Sequence, residues 1–177
     1  MKKPAKRIEL PPRRSDNDKR RLHPAPPLDL LVGLRISATY HPYPKHKRDP
    51  VRFGLAHYTG ARGDETLCDE HANFEPNEMP GISDLLARGI RAGLVGHIVR
   101  QQTPTIIWTV ADSGWIFEGR ITNIGQTDYH GYPVRPSEAI AAPVYRRFHA
   151  WAETTGEERD RKAARACLTL YGFKDGV

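Results

Sequence analysis

The feature that most restricts the fold of this chain is a pair of β-branched and aromatic runs on either side of a short turn. The runs are IIWTV at 106–110 and WIFEGRI at 115–121, and Ala-Asp-Ser-Gly lies between them. Val, Ile, Phe and Trp favour strands, and Gly114 can adopt the positive φ that a tight turn requires. The sequence therefore predicts a prominent β-hairpin over about 105–122.

A dense group of ring side chains follows the hairpin, in the sequence Tyr-His-Gly-Tyr-Pro at 129–133. Glycine and proline in close succession favour a turn, which would present one imidazole and two phenols on a short loop. Tyrosine rings can stack on nucleobases, so Tyr129, His130 and Tyr132 are candidate ligand-binding residues. A purely structural turn into the next helix is the alternative.

Residue periodicity predicts one helix before the hairpin and two after it. Apolar residues repeat at helical spacing over 82–93, where Ser83 is a suitable N-cap and Gly93 a suitable stop. A helical stretch is predicted to begin at Pro136 and to end at Gly156, and Pro143 either interrupts it or opens a second helix. A last helix over 157–170 is acidic first and basic later, as the helix dipole favours.

Two strands are predicted before the first of these helices, over 31–40 and 51–57, with a third short strand or an irregular segment over 65–74. The expected fold class is α+β. It comprises a small mixed or antiparallel sheet containing the hairpin, one helix inserted before the hairpin, and two C-terminal helices.

Positive charge is concentrated at the N-terminus. Residues 1–23 hold nine Lys/Arg and three Asp/Glu, whereas the other 154 residues hold 18 of each, so this segment carries the whole formal charge of +6. Residues 1–28 also contain six prolines and few apolar side chains. A segment of this composition is expected to be disordered. The sequence thus predicts a basic tail over 1–28 and a single α+β domain over 29–177.

A flexible cationic arm binds polyanions with an affinity that falls as salt rises, and it does so without base specificity. We therefore expect association with RNA or DNA through the tail, and a ligand or protein partner at the Tyr/His site of the domain. An anionic membrane, or a merely solubilising extension, is the alternative for the tail. The tail residues expected to contact nucleic acid are Lys2, Lys3, Arg13, Arg14, Lys19, Arg20 and Arg21.

The eight histidines divide by their surroundings in the sequence. His23, His41 and His46 lie in proline-rich or basic loops and are interpreted as solvated. His149 lies in a predicted helix, on its polar or boundary side. The remaining four lie in the predicted sheet domain.

Those domain histidines suggest a second function, a metal-independent ribonuclease or toxin-like enzyme. Two imidazoles can serve as base and acid when the 2′-hydroxyl of RNA attacks its own phosphate. His130 is the first candidate, paired with either His57 or His71. Arg120, or alternatively Arg135, would stabilise the charge that develops on the phosphate. Solvated or hydrogen-bonded loop histidines are the alternative.

The segment His57-Tyr58-Thr59 resembles the end of an early strand in mono-ADP-ribosyltransferases, where a histidine and a hydroxyl residue hold the nicotinamide ribose. The resemblance covers three residues of 177. It implies a later catalytic glutamate, for which Glu118 and Glu138 are the candidates.

The two cysteines do not form a recognisable metal or disulfide pattern. Cys68 stands close to His71, which would suit a catalytic couple or part of a zinc site, but Cys167 is isolated in an alanine-rich stretch. Acidic neighbours of Cys68 disfavour a thiolate. We therefore predict no metal and no cofactor.

A third function is a protein-interaction or inhibitor module that binds through the hairpin aromatics Trp108 and Trp115. Sparse cysteine and a charged N-terminus without a following apolar run are typical of a soluble, cytoplasmic protein. No window approaches the length of a transmembrane helix, so membrane insertion is not expected.

Overall fold

The computed structural model describes residues 18–61, 67–123 and 125–174. Within them lies a mixed four-stranded sheet in the order β1-β6-β5-β4. The edge strand β1 (Thr39–Tyr40) runs parallel to β6 (Asp128–Pro133), while β5 (Ile116–Ile121) is antiparallel to both β6 and β4 (Ile106–Val110). The short strands β2 (Val99–Arg100) and β3 (Thr103–Pro104) form a second, antiparallel pair.

Five α-helices accompany these strands in the described residues, together with 3-10 helices at Pro44–His46, Pro50–Phe53 and Pro76–Gly81. The predicted α+β fold class is thus confirmed. No helix in the described ranges has the length and apolar character needed to cross a membrane. The helices are α1 (Leu28–Ser37), α2 (Cys68–His71), α3 (Ile82–Arg91), α4 (Ala141–Thr154) and α5 (Glu158–Tyr171).

The sheet separates two apolar layers because successive side chains of a strand point to opposite faces. One face carries Trp108 and Ile116 against α4 and α5, in a cluster that includes Phe148. The other face carries Ile107 and Tyr129 against α3 and α1. The alternation of Ile107 and Trp108 therefore assigns neighbouring residues to different cores.

The predicted hairpin is confirmed, with Ile106 opposite Arg120 and Val110 opposite Ile116. Its turn residue Gly114 has φ +87°, the positive value expected of it. A Cβ at Gly114 would lie 2.5 Å from the carbonyl carbon of Ala166 in α5. The turn therefore requires glycine for its backbone conformation and for its packing.

The predicted helices around the hairpin are also found, as α3, α4 and α5, but α4 begins at Ala141 and not at the predicted Pro136. Gly93 ends the α3 region with φ +65°, as expected. The predicted N-cap, Ser83, is instead inside the helix, and Gly81 occupies the cap position without a side-chain hydrogen bond. Pro143 lies in the first turn of α4, where a missing N–H breaks no helical bond.

Two predicted strands are wrong. Residues 28–37 form α1, and only Thr39–Tyr40 of the predicted strand is extended. Apolar residues occupy so much of 28–36 that neither a twofold nor a helical period stands out, and Asp29 in the first turn favours the helix. Within 51–57, the 3-10 helix at Pro50–Phe53 starts at a proline and stops at Gly54, whose φ is +70°.

The turn predicted at 129–133 is wrong. This segment forms most of strand β6. Gly131 lies opposite Gly119, and Pro133 lies opposite Phe117 at the end of the pairing. A proline at a strand end removes no bond from the middle of the ladder, so glycine and proline are compatible with a strand here. The predicted third strand over 65–74 falls partly outside the described residues, and α2 occupies its described centre.

Part of the sequence assigned to the tail packs on the domain. Leu22 forms a β-bridge with Gly96, and the N–H of His23 donates to the carbonyl of Val95 at 2.8 Å. Arg147 of α4 donates to the carbonyls of His23 and Gly93. Residues 18–24 therefore lie along the domain, whereas the tail residues 1–17 lie outside the described residues.

The contact between α3 and β4 yields a test of this packing. A Cβ on Gly89 would lie 2.0 Å from the carbonyl oxygen of Trp108, so Gly89→Ala must push the helix away from the sheet. We expect a loss of about 1–3 kcal/mol in the free energy of unfolding, measured by urea denaturation. Gly33→Ala in α1 is the control, since its Cβ meets no atom within 4 Å. It should stabilise by about 0.5–1 kcal/mol, and equal effects of the two changes would contradict the described packing.

Candidate functional site

The centre of the candidate site is the carboxylate of Glu118, which is completely buried. One oxygen, Oε2, accepts hydrogen bonds from Trp108 Nε1 at 2.9 Å and Arg20 Nε at 2.8 Å. The other, Oε1, accepts from Tyr132 Oη at 2.6 Å and Arg120 Nε at 2.8 Å. A buried charge is tolerated when it is paired and hydrogen-bonded, and both conditions are met here.

The arginines also lower the pKa of this carboxyl. Burial alone would raise the pKa of Glu118, but Arg20, Arg120 and the Tyr132 hydroxyl outweigh it and bring the pKa below the ordinary value. Arg20 extends the network, because it also donates to Glu138 Oε2 at 2.6 Å. Glu118 is therefore an anion at neutral pH that ties the N-terminal segment to two strands.

An aromatic cluster of Tyr43, His46, His130 and Tyr132 lies beside this network. The imidazoles of His46 and His130 are stacked, with centroids 5.3 Å apart and planes inclined by 8°. Tyr132 lies 5.0 Å from His46, and Tyr43 lies 5.3 Å from His130. Tyr58 contacts Tyr43 at 6.2 Å from a neighbouring loop. The cluster thus joins two segments that are more than 80 residues apart in the sequence.

Strand register explains how the cluster and the network meet. Glu118 lies opposite Tyr132, and Arg120 lies opposite His130, so all four side chains share one face of the sheet. The 3-10 helix at Pro44–His46 packs its histidine over that face. The Arg120 guanidinium lies 5.8 Å from the Tyr132 ring centre, and its side chain is 42% exposed.

The electrostatic surroundings keep His130 in its neutral form. Burial lowers the pKa of His130, and the positive charges of Arg120 and Lys45 lower it further. Its Nδ1 lies 3.1 Å from Thr122 Oγ1, within hydrogen-bond distance. At neutral pH the ring is therefore an uncharged imidazole that is available as a general base, although the nearby cations lower its basicity.

The structure brings together only some of the residues predicted from the sequence. His130, Arg120 and Tyr132 share the site, but Tyr129 points to the opposite face, where it is buried and donates to the carbonyl of Pro104 at 2.6 Å. Arg20 was predicted to contact nucleic acid and instead forms an ion pair with Glu118, with its side chain only 14% exposed.

The other predicted residues lie away from this face or outside the described ranges. His57 is exposed on a loop, and His71 ends α2. In the described part of the chain, the rings that contact His130 belong to Tyr43 and His46, and neither His57 nor His71 is among them. Lys19 and Arg21 are exposed before the domain. The remaining tail residues named above, Lys2, Lys3, Arg13 and Arg14, lie outside the described residues.

Sequence reasoning missed the contributions of His46, Tyr43 and Lys45. His46 was interpreted as solvated but is only 6% exposed. The available signal was the spacing HPYPKHK at 41–47, in which prolines alternate with rings and cations. Such a rigid segment can hold its side chains in place, although nothing in it specifies the strand on which it packs.

A separate apolar cavity lies on the other face of the sheet. Its volume is about 50 Å³, room for one or two waters, and its lining includes Tyr40, Phe74 and Lys47. The Lys47 ammonium lies 5.0 Å from the ring centre of Phe53 and 5.1 Å from that of Phe74. Burial raises the pKa of the neighbouring Cys68 thiol, so the predicted Cys68–His71 couple would lack its thiolate.

The predicted hairpin aromatics are largely enclosed. Trp108 is buried and its indole N–H donates to Glu118, and Trp115 packs edge-on against Tyr171 at 5.9 Å.

In the ranges that the structure describes, no group of three or more His, Cys, Asp or Glu side chains is placed to hold a metal ion. No protein family matches the chain, and no curated protein or solved structure matches it significantly.

The Glu118 network predicts a specific acid sensitivity. Glu118→Gln should lower the free energy of unfolding at pH 7 by about 3 kcal/mol, because Arg20 and Arg120 lose their counter-charge. Since the folded-state pKa is lowered, this stabilisation is present above about pH 4.3 and is lost as the pH falls through the folded-state value. The variant should therefore lose less stability than the wild type on acidification below that pH.

Urea denaturation at a series of pH values measures both effects. The control is Glu158→Gln, which removes an exposed carboxylate paired with Arg161 and Arg165 and should change stability little. A Glu118→Gln variant as stable as this control would show that the buried carboxylate does not stabilise the fold.

Proposed function

We propose that this protein binds single-stranded nucleic acid at the aromatic cluster, with the basic N-terminal arm adding contacts to phosphates. The observation that carries the proposal is the position of the partly exposed Arg120 guanidinium beside the stacked rings, on the same face of the sheet. Proteins that bind single strands combine these two elements, because bases stack on rings while cations follow the backbone.

The exposed ring of Tyr43 is where a nucleobase would stack. Tyr43 is 37% exposed and packs against His130, whereas His46 and Tyr132 are nearly buried beneath. The inner rings are held by the Glu118 hydrogen bond and by the stack, so the outer ring rests on a fixed support. A rigid aromatic side chain loses little conformational freedom on binding, which favours stacking.

Cations lie where phosphates would follow a stacked base. Lys45 belongs to the 3-10 helix that carries His46, and Arg120 lies opposite His130 on the neighbouring strand. Phosphate contacts position a strand without specifying its sequence. The proposal therefore implies weak base preference and strong dependence on salt.

Binding can be measured by fluorescence anisotropy with labelled oligouridine. Tyr43→Leu should weaken binding about tenfold through the loss of one stacking platform. Lys45→Ala should lower the slope of log K against log salt by about one. Lys162→Ala removes an exposed cation on α5 and serves as the matched control.

A comparison of these variants tests whether the aromatic cluster is the binding surface. Unchanged affinity in Tyr43→Leu, together with equal effects of Lys45→Ala and Lys162→Ala, would show that the cluster is not the binding surface. Binding that depends on residues 1–17 alone would assign the affinity to the arm.

A second candidate function is RNA cleavage, favoured by the neutral state of His130 beside Arg120. His130 would take the proton of a 2′-hydroxyl, whose oxygen attacks the adjacent phosphorus. The 5′-oxygen leaves with a proton from water, because His46 is buried beneath the rings and neither His57 nor His71 is among the described rings that contact His130. The products are a 2′,3′-cyclic phosphate and a 5′-hydroxyl, and Arg120 stabilises the phosphate charge.

Cleavage of labelled RNA in EDTA tests this candidate. His130→Ala should lower the rate by about 100-fold or more, the usual effect of losing a general base. Because the pKa of His130 is lowered, the acid limb of the pH–rate profile should lie below about pH 6.5. The exposed His149 of α4 provides the control His149→Ala. Equal rates in the two variants would exclude His130 as the base.

A further inference from the structure

The guanidinium of Arg120 is held at one edge and open at the other. Its Nε donates to the buried Glu118 carboxylate at 2.8 Å, which fixes the plane of the group. Among the described residues, the two terminal nitrogens Nη1 and Nη2 have no hydrogen-bond partner. The side chain is 42% exposed, so a ligand can reach this outer edge. Arg120 therefore presents a fork of two N–H donors in a fixed orientation.

The imidazole of His130 adds a third donor beside this fork. Arg120 and His130 are directly opposite on neighbouring strands, a register that brings Cβ atoms to about 5 Å from each other. Nδ1 of His130 lies 3.1 Å from the Thr122 hydroxyl. When this hydroxyl donates to Nδ1, the proton of the neutral ring lies on Nε2. Within the described part of the chain Nε2 has no hydrogen-bond partner, and it can donate to the same ligand as Arg120.

Three donors in this arrangement fit a phosphate at the end of a strand. A guanidinium fork binds two phosphate oxygens at once, and the imidazole N–H takes another. An internal phosphodiester has two oxygens that are not esterified, whereas a terminal phosphate has three. We propose that the site takes the terminal phosphate of a nucleic-acid strand, held by the Arg120 fork and His130 Nε2. This inference rests on the proposed nucleic-acid binding.

The charges around this position favour a terminal phosphate over an internal one. The 3-10 helix that packs over this face of the sheet adds Lys45 to the cation at Arg120. The buried anion Glu118 is already matched, because it also forms an ion pair with Arg20. A terminal phosphate carries a charge of about −1.5 to −2 at neutral pH, so it gains more from these cations than a singly charged phosphodiester does.

The ring of Tyr43 lies next to this phosphate position. Its centroid is 5.3 Å from that of His130, and the residue is 37% exposed. The base of the terminal nucleotide can therefore stack on one ring while its phosphate contacts the neighbouring one. Because one nucleotide contains both groups, we expect a free mononucleotide to occupy the site as well.

Competition against labelled oligouridine measures the contribution of the phosphate. At neutral pH, uridine monophosphate should displace the oligonucleotide at a concentration about tenfold lower than uridine, the usual gain from a charged hydrogen-bonded pair. The 5′- and 3′-monophosphates are compared separately. Direct binding of oligouridine with a 5′-phosphate, a 3′-phosphate or only hydroxyl ends then shows which end of a strand is bound.

The variant Arg120→Lys separates the fork from its charge. Lysine keeps the positive charge but lacks the planar pair of donors. We expect the preference for phosphate-ended strands to fall about tenfold, with a much smaller change for hydroxyl-ended strands. Arg146→Lys, at an exposed position of α4, is the matched control. An unchanged preference in Arg120→Lys would exclude the fork.

The variant Thr122→Val tests the orientation of the imidazole without touching Arg120. Valine keeps the shape of threonine but removes the hydroxyl that lies beside Nδ1. Nitrogen-15 NMR of the His130 ring should show a loss of the Nε2–H tautomer, and the preference for phosphate-ended strands should fall with it. An unchanged tautomer and an unchanged preference would contradict this positioning role.

The wild-type protein separates this inference from the proposed function. Equal affinity for phosphate-ended and hydroxyl-ended strands, together with equal competition by uridine and its monophosphates, would overturn the terminal-phosphate site and leave nucleic-acid binding at the aromatic cluster. An absence of binding to every strand would overturn both.

Discussion

The buried charge of Glu118 is the interaction on which the rest of this structure depends. Its carboxylate receives hydrogen bonds from β4, β6 and the N-terminal segment as well as from its own strand. A carboxylate in an apolar layer is costly unless its charge is met by cations, and Arg20 and Arg120 meet it from two directions. The register of β5 and β6 and the path of residues 18–24 are consequently coupled through one side chain.

That coupling also shapes the candidate site. Arg120 reaches from the buried carboxylate to the surface, where it lies opposite His130. Tyr132 is fixed by its hydrogen bond to the same carboxylate and supports His46, which in turn stacks on His130. The exposed part of the site is thus built on a hydrogen-bonded interior, an arrangement that keeps binding residues in place without a ligand.

The sequence predicts the α+β class, the hairpin and the helices around it, because these elements carry strong local signals. It does not predict α1, whose dense leucines hide its period, or β6, where glycine and proline suggest a turn. Both errors concern segments whose state is decided by partners distant in the sequence: α1 packs on α3, and β6 pairs with β5 and β1. Tertiary contacts override local preference in such segments.

The site is predictable only in part for the same reason. His130, Arg120 and Tyr132 were found because they lie within one hairpin and the strand after it. His46 comes from a loop more than 80 residues away, and no local pattern places it on His130. For Arg20 the local pattern is misleading. Its place in a cluster of cations predicts a solvated side chain, whereas in the structure it forms ion pairs with the buried carboxylates of Glu118 and Glu138.

We propose that the ring cluster supported by Glu118 binds the ligand of this protein. Photocrosslinking to single-stranded RNA that contains 4-thiouridine, followed by mass spectrometry of the crosslinked peptides, tests this proposal. Crosslinks are expected in the peptides that contain Tyr43 and His130, and high salt should reduce them. Crosslinks confined to residues 1–17, or to α4 and α5, would contradict the proposal.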